Sequence, residues 1–168
     1  RRGYTVVGID NFFRGNKENI SGLKDNNSFS LVEMDLSDWN NKKALSEVYN
    51  DHKVDAIYHL AAINGTQYFY DRPTFVLDQN VKITVNVVEA IEGTQVKKVI
   101  YTSSSELYGD PSILPTPENH TVQLNAMADR DSYASSKAIG DCYVRLYDKQ
   151  YGIDYLILRV FNQYGPRM

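Results

Sequence analysis

A parallel α/β sheet is the fold this sequence predicts, on three observations. Short β-branched runs alternate with helical periodicities from one end of the chain to the other. Several runs end in an acid or in small residues, as at Asp10, Asp35 and Leu60-Ala61-Ala62. Two of the intervening helical segments are long, with apolar residues at helical spacing. Strands that alternate with helices imply a parallel sheet covered on both faces.

The elements follow in order. Thr5 to Asp10 is a short β-branched run that closes on an acid, and Phe29 to Leu36 is a second strand ending Met-Asp-Leu. Trp39 to Tyr49 reads as an amphipathic helix capped by Ser37 or Asp38. Ala56 to Ala62 is a buried strand that runs into small residues. Thr74 to Glu92 is a helix behind Pro73, with Val81, Val85, Val88 and Ile91 on one stripe. Lys98 to Ser104 is a strand, Ser132 to Gln150 a helix stopped near Gly152, and Tyr155 to Phe161 the last strand. Gly109 to Asp131 holds Pro111, Pro115 and Pro117 and reads as a loop of functional length.

Composition narrows the function. With 168 residues, 42% apolar and 23% charged, the chain suits one soluble domain. A net charge of −3 without a basic stretch argues against a nucleic-acid partner. The single cysteine, Cys142, excludes an internal disulfide and suits a reducing compartment, here taken as the cytoplasm. No apolar run approaches the ~20 residues that span a bilayer. The three histidines are scattered, so no metal site is expected. His59 reads as a packed strand residue.

Chemistry concentrates at Asp-Ser-Tyr-Ala-Ser-Ser-Lys. Tyr133 and Lys137 are four apart on a helix and share a face, and a nearby cation favours the phenolate. With 13 tyrosines, Tyr-x-x-x-Lys also arises by chance, and Tyr49 and Lys53 form a second example. We read that second pair as a solvated helix end. The first follows a Ser-rich strand end, Thr102 to Gly109, whose Ser104 would complete a proton-handling set.

Ligands of such a sheet bind beyond the carboxyl ends of its strands. Asp10 is placed to accept the ribose hydroxyls of an adenosine and to disfavour a 2′-phosphate, so NAD is expected over NADP. Arg14 nearby weakens that preference. Asp35 and Leu36 are placed for an adenine edge, and Leu60, Ala61 and Ala62 allow close approach of a ribose or pyrophosphate. Asn80 and Asn86 lie on an otherwise apolar helix, so each needs a partner, either a cofactor or a loop backbone.

These segments together resemble the extended short-chain dehydrogenase/reductase family, in particular its sugar-nucleotide epimerases and dehydratases. The resemblance rests on Val7-Gly8-Ile9-Asp10-Asn11, Met34-Asp35-Leu36, His59-Leu60-Ala61-Ala62, Asn80-Val81, Thr102 to Gly109, Tyr133 to Lys137, and Arg159 to Asn162 with Tyr164 to Arg167. It implies a Rossmann-like doubly wound sheet that binds NAD. It implies Tyr133 as catalytic acid/base, Lys137 on the nicotinamide ribose and depressing the tyrosine pKa, and Ser104 as the catalytic hydroxyl. Asp10, Asn11, Asp35, Leu36, Leu60, Ala61, Ala62, Asn80 and Phe161 match cofactor positions, and Asn162 a substrate position. The implied substrate is a nucleotide sugar oxidised at C4 to a 4-keto intermediate.

Subfamilies diverge after that step. Ser104-Ser105-Glu106 lacks the acid that a 4,6-dehydratase carries at position 105, so that activity is set aside. Glu106, as a catalytic residue, with Gly109-Asp110-Pro111 and the ending Phe161-Asn162 with Gly165 to Met168, resembles the nucleotide-glucuronate decarboxylases. We expect a 4-epimerase, with UDP-glucuronate decarboxylase as the alternative and a non-catalytic nucleotide-binding protein as the competing class. The aromatic stretch Asn64 to Tyr70 is read equally as pocket wall or packed loop.

The glycine-rich loop of a dinucleotide fold is not in the sequence, and Arg1-Arg2-Gly3-Tyr4 reads as the tail of a helix. The chain is therefore expected to be a partial NAD-binding domain over residues 1–168, without its first strand and without a substrate domain. Alone it should bind NAD poorly. Pairing of two copies through the two long helices is a family expectation.

Overall fold

The computed structural model describes residues 3–165; the expected helix tail at Arg1 and Arg2 and the terminal Pro166 and Arg167 lie outside them. All strand pairings are parallel. β1 (Val6–Asp10) pairs with β2 (Phe29–Glu33), Val6 opposite Phe29. β3 (Ala56–His59), β4 (Lys98–Ser104) and β5 (Asp154–Val160) form a second sheet with β4 in its centre. The helices are α1 (Lys42–Asp51), α2 (Thr66–Asp71), α3 (Pro73–Glu89) and α4 (Asp131–Tyr151). 3₁₀ segments cover Lys17–Leu23, Trp39–Asn41 and Ser105–Tyr108.

Among the described residues no strand joins β1 to β3, so the two sheets are separate. One apolar core nevertheless serves both. Ile9 and Ile57 pack with Leu45, Val87, Val99, Tyr101 and Val144. Removing side-chain volume from a core this dense costs transfer energy plus a cavity. Leu45→Ala, at a site 1% exposed, is therefore expected to lower the unfolding free energy by about 2–5 kcal/mol, checked by urea titration.

Local chemistry sets the ends. The Asp38 carboxylate accepts the Asn40 N–H, so of the two expected caps Asp38 is used. What read as one helix from Trp39 begins as a 3₁₀ turn and becomes α-helical at Lys42. Pro73 opens α3, where its missing N–H costs no helical bond. Gly152 closes α4 in the left-handed region, φ 68°, and its N–H reaches the Asp148 carbonyl at 2.7 Å. β2 stops at Glu33 because Asp35 turns the chain, its carboxylate accepting the Ser37 N–H at 2.8 Å.

Two further expectations change. Tyr49 is no solvated helix end. It is 4% exposed and its hydroxyl donates to the Val87 carbonyl at 3.3 Å; burial pushes the phenol up. Lys53 lies beyond the helix at φ 49°. The sheet is also not covered on both faces by the described residues. Val99, Tyr101, Tyr155 and Ile157 belong to the core, whereas Tyr58, Leu60 and Leu156 stand exposed at 70%, 67% and 47%. Right-handed crossovers that advance in one direction along a sheet lie on one side of it, which places α3 and α4 together. The oppositely directed crossover, β1 to β2, contains only the short turn Lys17–Leu23.

Candidate active site

The carboxyl ends of β1, β2 and β3 enclose a cavity of about 350 Å³. Asp10, Asn11, Asp35, Leu36, Leu60, Ala61 and Ala62, all named from the sequence, line it. The Asp10 Oδ1 accepts the Phe12 N–H at 2.7 Å. The loop then curls over that carboxylate so closely that a Cβ on Gly15 would stand 3.4 Å from Oδ2. An exposed carboxylate, a second acid and small residues at strand ends fit the adenosine side of a dinucleotide. A second hollow of about 400 Å³ lies between α3 and α4 around Glu89, Tyr143 and Tyr147. None of the candidate residues lines it, so chemistry rather than volume selects the first cavity.

Asn80 is elsewhere. It is 3% exposed, accepts the Ile63 N–H at 2.6 Å and donates to the Ile63 carbonyl at 3.1 Å and to Ser136 Oγ at 3.2 Å. It thus fixes the loop after β3 to the helix that carries Tyr133, and it does not line the cavity. Asn86 likewise finds backbone, donating to the carbonyls of Leu36 at 2.9 Å and Asp38 at 3.1 Å. Truncating Asn80 orphans both polar groups of a buried residue. Asn80→Ala is expected to cost about 2–4 kcal/mol, read as a lowered thermal midpoint.

Ser104, Tyr133 and Lys137, the expected proton-handling set, come together at the end of β4. Ser104 ends that strand and its hydroxyl accepts the Glu106 N–H at 3.2 Å, opening the following 3₁₀ turn. Tyr133 and Lys137, on the first turns of α4, are 8% and 3% exposed. Phe69 of α2 stacks on the Tyr133 ring at 4.7 Å and 19°. So the aromatic stretch packs on the tyrosine through Phe69, while Tyr70 stands 56% exposed. Ile63 links the two halves of the site, since it lines the cavity and packs with Tyr133.

The electrostatics differ from the expectation that Lys137 depresses the Tyr133 pKa. Burial pushes the phenol above its ordinary range, the Glu106 carboxylate adds to this, and the Ser104 hydroxyl opposes it. The Lys137 ammonium donates to the Thr102 carbonyl at 2.7 Å and lies 5.7 Å from the Tyr133 ring centre. Burial lowers its own pKa to about 8, against a raising influence from Asp141. Desolvation therefore dominates at both groups, over the Ser104 hydroxyl at the tyrosine and over the Asp141 charge at the lysine.

Glu106 is not free. Arg130, just before α4, holds both its oxygens, at 3.0 and 3.2 Å. Nothing in the spacing pointed to Arg130. Phe161 is 65% exposed and faces Tyr108 with ring centres 6.5 Å apart, and Asn162 follows in the exposed segment after β5. His59 is packed, as read, 2% exposed with its Nε2 3.1 Å from Thr84 Oγ1. Among the described residues no group of three His, Cys, Asp or Glu side chains could hold a metal, and no helix is long and apolar enough to cross a membrane.

A strand-end cavity with an acid at a ribose position, beside a buried Ser-Tyr-Lys set, has the layout of a nucleotide site of the dehydrogenase/reductase type. The comparisons narrow this: residues 1–168 match the NAD dependent epimerase/dehydratase family, and the chain belongs to that family. It is 33% identical over 166 residues to the UDP-glucose 4-epimerase of Mycolicibacterium smegmatis, covering 98% of this chain and 50% of that one. It is 34% identical over 163 residues to UDP-glucuronic acid decarboxylase 3 of Arabidopsis thaliana, covering 97% of this chain and 44% of that one. The UDP-glucose 4-epimerase of Thermotoga maritima, solved with UDP-glucose, superposes with a TM-score of 0.84 at 26% identity, covering 98% of this chain and 50% of that one. The chain thus spans about half the length of the relatives it matches.

Proposed function

We propose that the whole protein is an NAD-dependent enzyme that converts a nucleotide sugar through a 4-keto intermediate, as a 4-epimerase. The observation that carries this is the convergence of Ser104, Tyr133 and Lys137 at the end of β4, joined through Ile63 to the cavity that holds Asp10 and Asp35. The UDP-glucose 4-epimerases among the relatives support the choice of reaction.

Each residue then has a task. Asp10 holds ribose hydroxyls of the adenosine, while Leu60, Ala61 and Ala62 let the dinucleotide lie against the strand ends. NAD, when bound, supplies the acceptor for hydride from the sugar C4. Tyr133 takes the proton of the sugar 4-hydroxyl and later returns it, Ser104 orients that hydroxyl, and Lys137 orients the nicotinamide ribose. Phe161 and Asn162 border the cofactor and the sugar nucleotide. Sequestering the tyrosine under Phe69 keeps water from the transferred proton.

The second reading, UDP-glucuronate decarboxylase, is favoured by one observation: Glu106 acts on the Tyr133 phenol and is held by Arg130. Supplying the whole protein with UDP-glucose and UDP-glucuronate separates the two. An epimerase yields the 4-epimer without CO₂, a decarboxylase releases CO₂, and neither product would leave the non-catalytic class.

The described residues supply the adenosine side, and the sequence has no glycine-rich loop for the pyrophosphate. NAD⁺ is therefore expected to bind the 168-residue chain with a dissociation constant above about 1 mM; calorimetric titration showing micromolar binding would contradict this. We further propose that the whole protein is a cytoplasmic homodimer paired through α3 and α4. Ile139 and Leu146 stand 44% and 49% exposed on α4, which supports such a face. The charge balance supports no nucleic-acid partner.

A further inference from the structure

Behind Lys137 lies a charged group that the proposed reaction does not use. Asp141 follows Lys137 by one helical turn on α4 and is 8% exposed. Its Oδ2 accepts from Arg159 of β5, at 3.3 Å from Nε and 3.2 Å from the terminal nitrogen. Its Oδ1 is buried without a hydrogen-bond partner, as is the Ser103 hydroxyl, which lies near enough to favour the ionised carboxyl. Burial acts the other way on Asp141, and the Arg159 and Lys137 charges oppose burial.

We propose that Asp141 is a positioning residue for the Tyr133–Lys137 pair: clamped by Arg159, its carboxylate is the counter-charge that keeps the buried Lys137 ammonium in place and ionised. This rests on the reading of Tyr133 and Lys137 as the proton-handling pair. Among the described residues, Asp141 is the anion whose charge acts on Lys137. From β4 it meets the Thr102 carbonyl and the Tyr101 ring, 5.0 Å away. From β3 it faces His59, which burial and the Lys137 charge hold neutral, with a pKa near 3; Thr84 of α3 only bonds that imidazole. On α4 it has Tyr133, whose phenol burial and Glu106 push above its ordinary range. Glu106 itself is paired with Arg130. Asp141 therefore balances two cations, one on its own helix and one on the neighbouring strand. It ties the position of the strand to the charge of the lysine.

Opposite substitutions test this. Lysine side chains of the whole protein, isotope-labelled and followed by NMR against pH, report Lys137 directly, with Lys137→Met for assignment. Asp141→Asn removes the counter-charge and is expected to lower the Lys137 midpoint by about one unit. Arg159→Gln removes a competing cation and is expected to raise it. Asp141→Glu keeps the charge and is expected to titrate as the parent does. A midpoint unchanged or raised in Asp141→Asn, unchanged or lowered in Arg159→Gln, or lowered in Asp141→Glu would overturn the proposal. Should Asp141→Asn fail to fold, the Arg159→Gln shift decides alone. A purely structural ion pair moves none of these midpoints in opposite senses. The titration needs no turnover, so an inactive protein would sink the proposed function and leave this test intact.

Discussion

Replacing Tyr133 by Phe in the whole protein is expected to reduce turnover of the nucleotide sugar by about 10²–10⁴-fold, with the fold intact. The ring would keep its stacking on Phe69 and its place among Ile63 and Val76, since those contacts are apolar. Only the hydroxyl is lost, and with it the group proposed to take the sugar proton. NMR of the sugar anomers measures the rate, and a thermal melt checks the fold. Turnover within tenfold of the parent would remove Tyr133 from the mechanism. The same electrostatics give a pH signature. Because the Glu106 carboxylate raises the phenol pKa, Glu106→Gln is expected to move the deprotonation limb of the kcat/KM profile to lower pH, provided the variant keeps its activity.

A large loss of stability is also expected from Gly140→Ala. Gly140 is buried on α4 where the helix crosses β4, and a Cβ there would fall 2.0 Å from the Tyr101 hydroxyl and 2.4 Å from its Cζ. Tyr101 cannot easily yield. It is 1% exposed and lies between His59, with ring centres 5.3 Å apart, and Lys137. Either α4 lifts from the sheet or the tyrosine leaves its rotamer. The expected cost is about 3 kcal/mol, or a fall of about 6–12 °C in Tm for a domain of this size. Pairing Gly140→Ala with Tyr101→Phe removes the hydroxyl and is expected to recover part of the loss. A melt unchanged by Gly140→Ala would show that the helix–sheet contact is looser than described.

Much of this architecture could be read from residue patterns, because the strands are short β-branched runs and the helices carry their own punctuation. Lys98–Ser104 is a strand with the limits read from the sequence, while α4 extends the reading by one residue at each end, to Asp131–Tyr151, before the Gly152 cap. The strand ends at Asp10, Asp35 and Leu60 to Ala62 were legible as one site because a parallel sheet collects such ends on one edge. What escaped was tertiary. The spacing of Asn80 showed that it needed a partner but could not choose between a cofactor and the Ile63 backbone. The direction of the Tyr133 shift depended on burial under Phe69 and on Glu106, which act across elements distant in sequence. Arg130 left no local signal, since its partner is 24 residues away. Asp141 did leave one: a carboxylate one turn beyond Lys137 lies on the same helix face.

The central claim is that this Ser-Tyr-Lys set serves a reversible oxidation at the sugar C4. The direct measurement follows the C4 hydrogen. Nucleotide sugar carrying deuterium at C4 is converted by the whole protein in ordinary water, and the product is examined at the same carbon. Retention of the deuterium at C4 is expected, because the hydrogen leaves and returns within one closed site while only the hydroxyl proton passes through Tyr133. Loss of the label to solvent, or product formed equally well by Tyr133→Phe, would contradict the account.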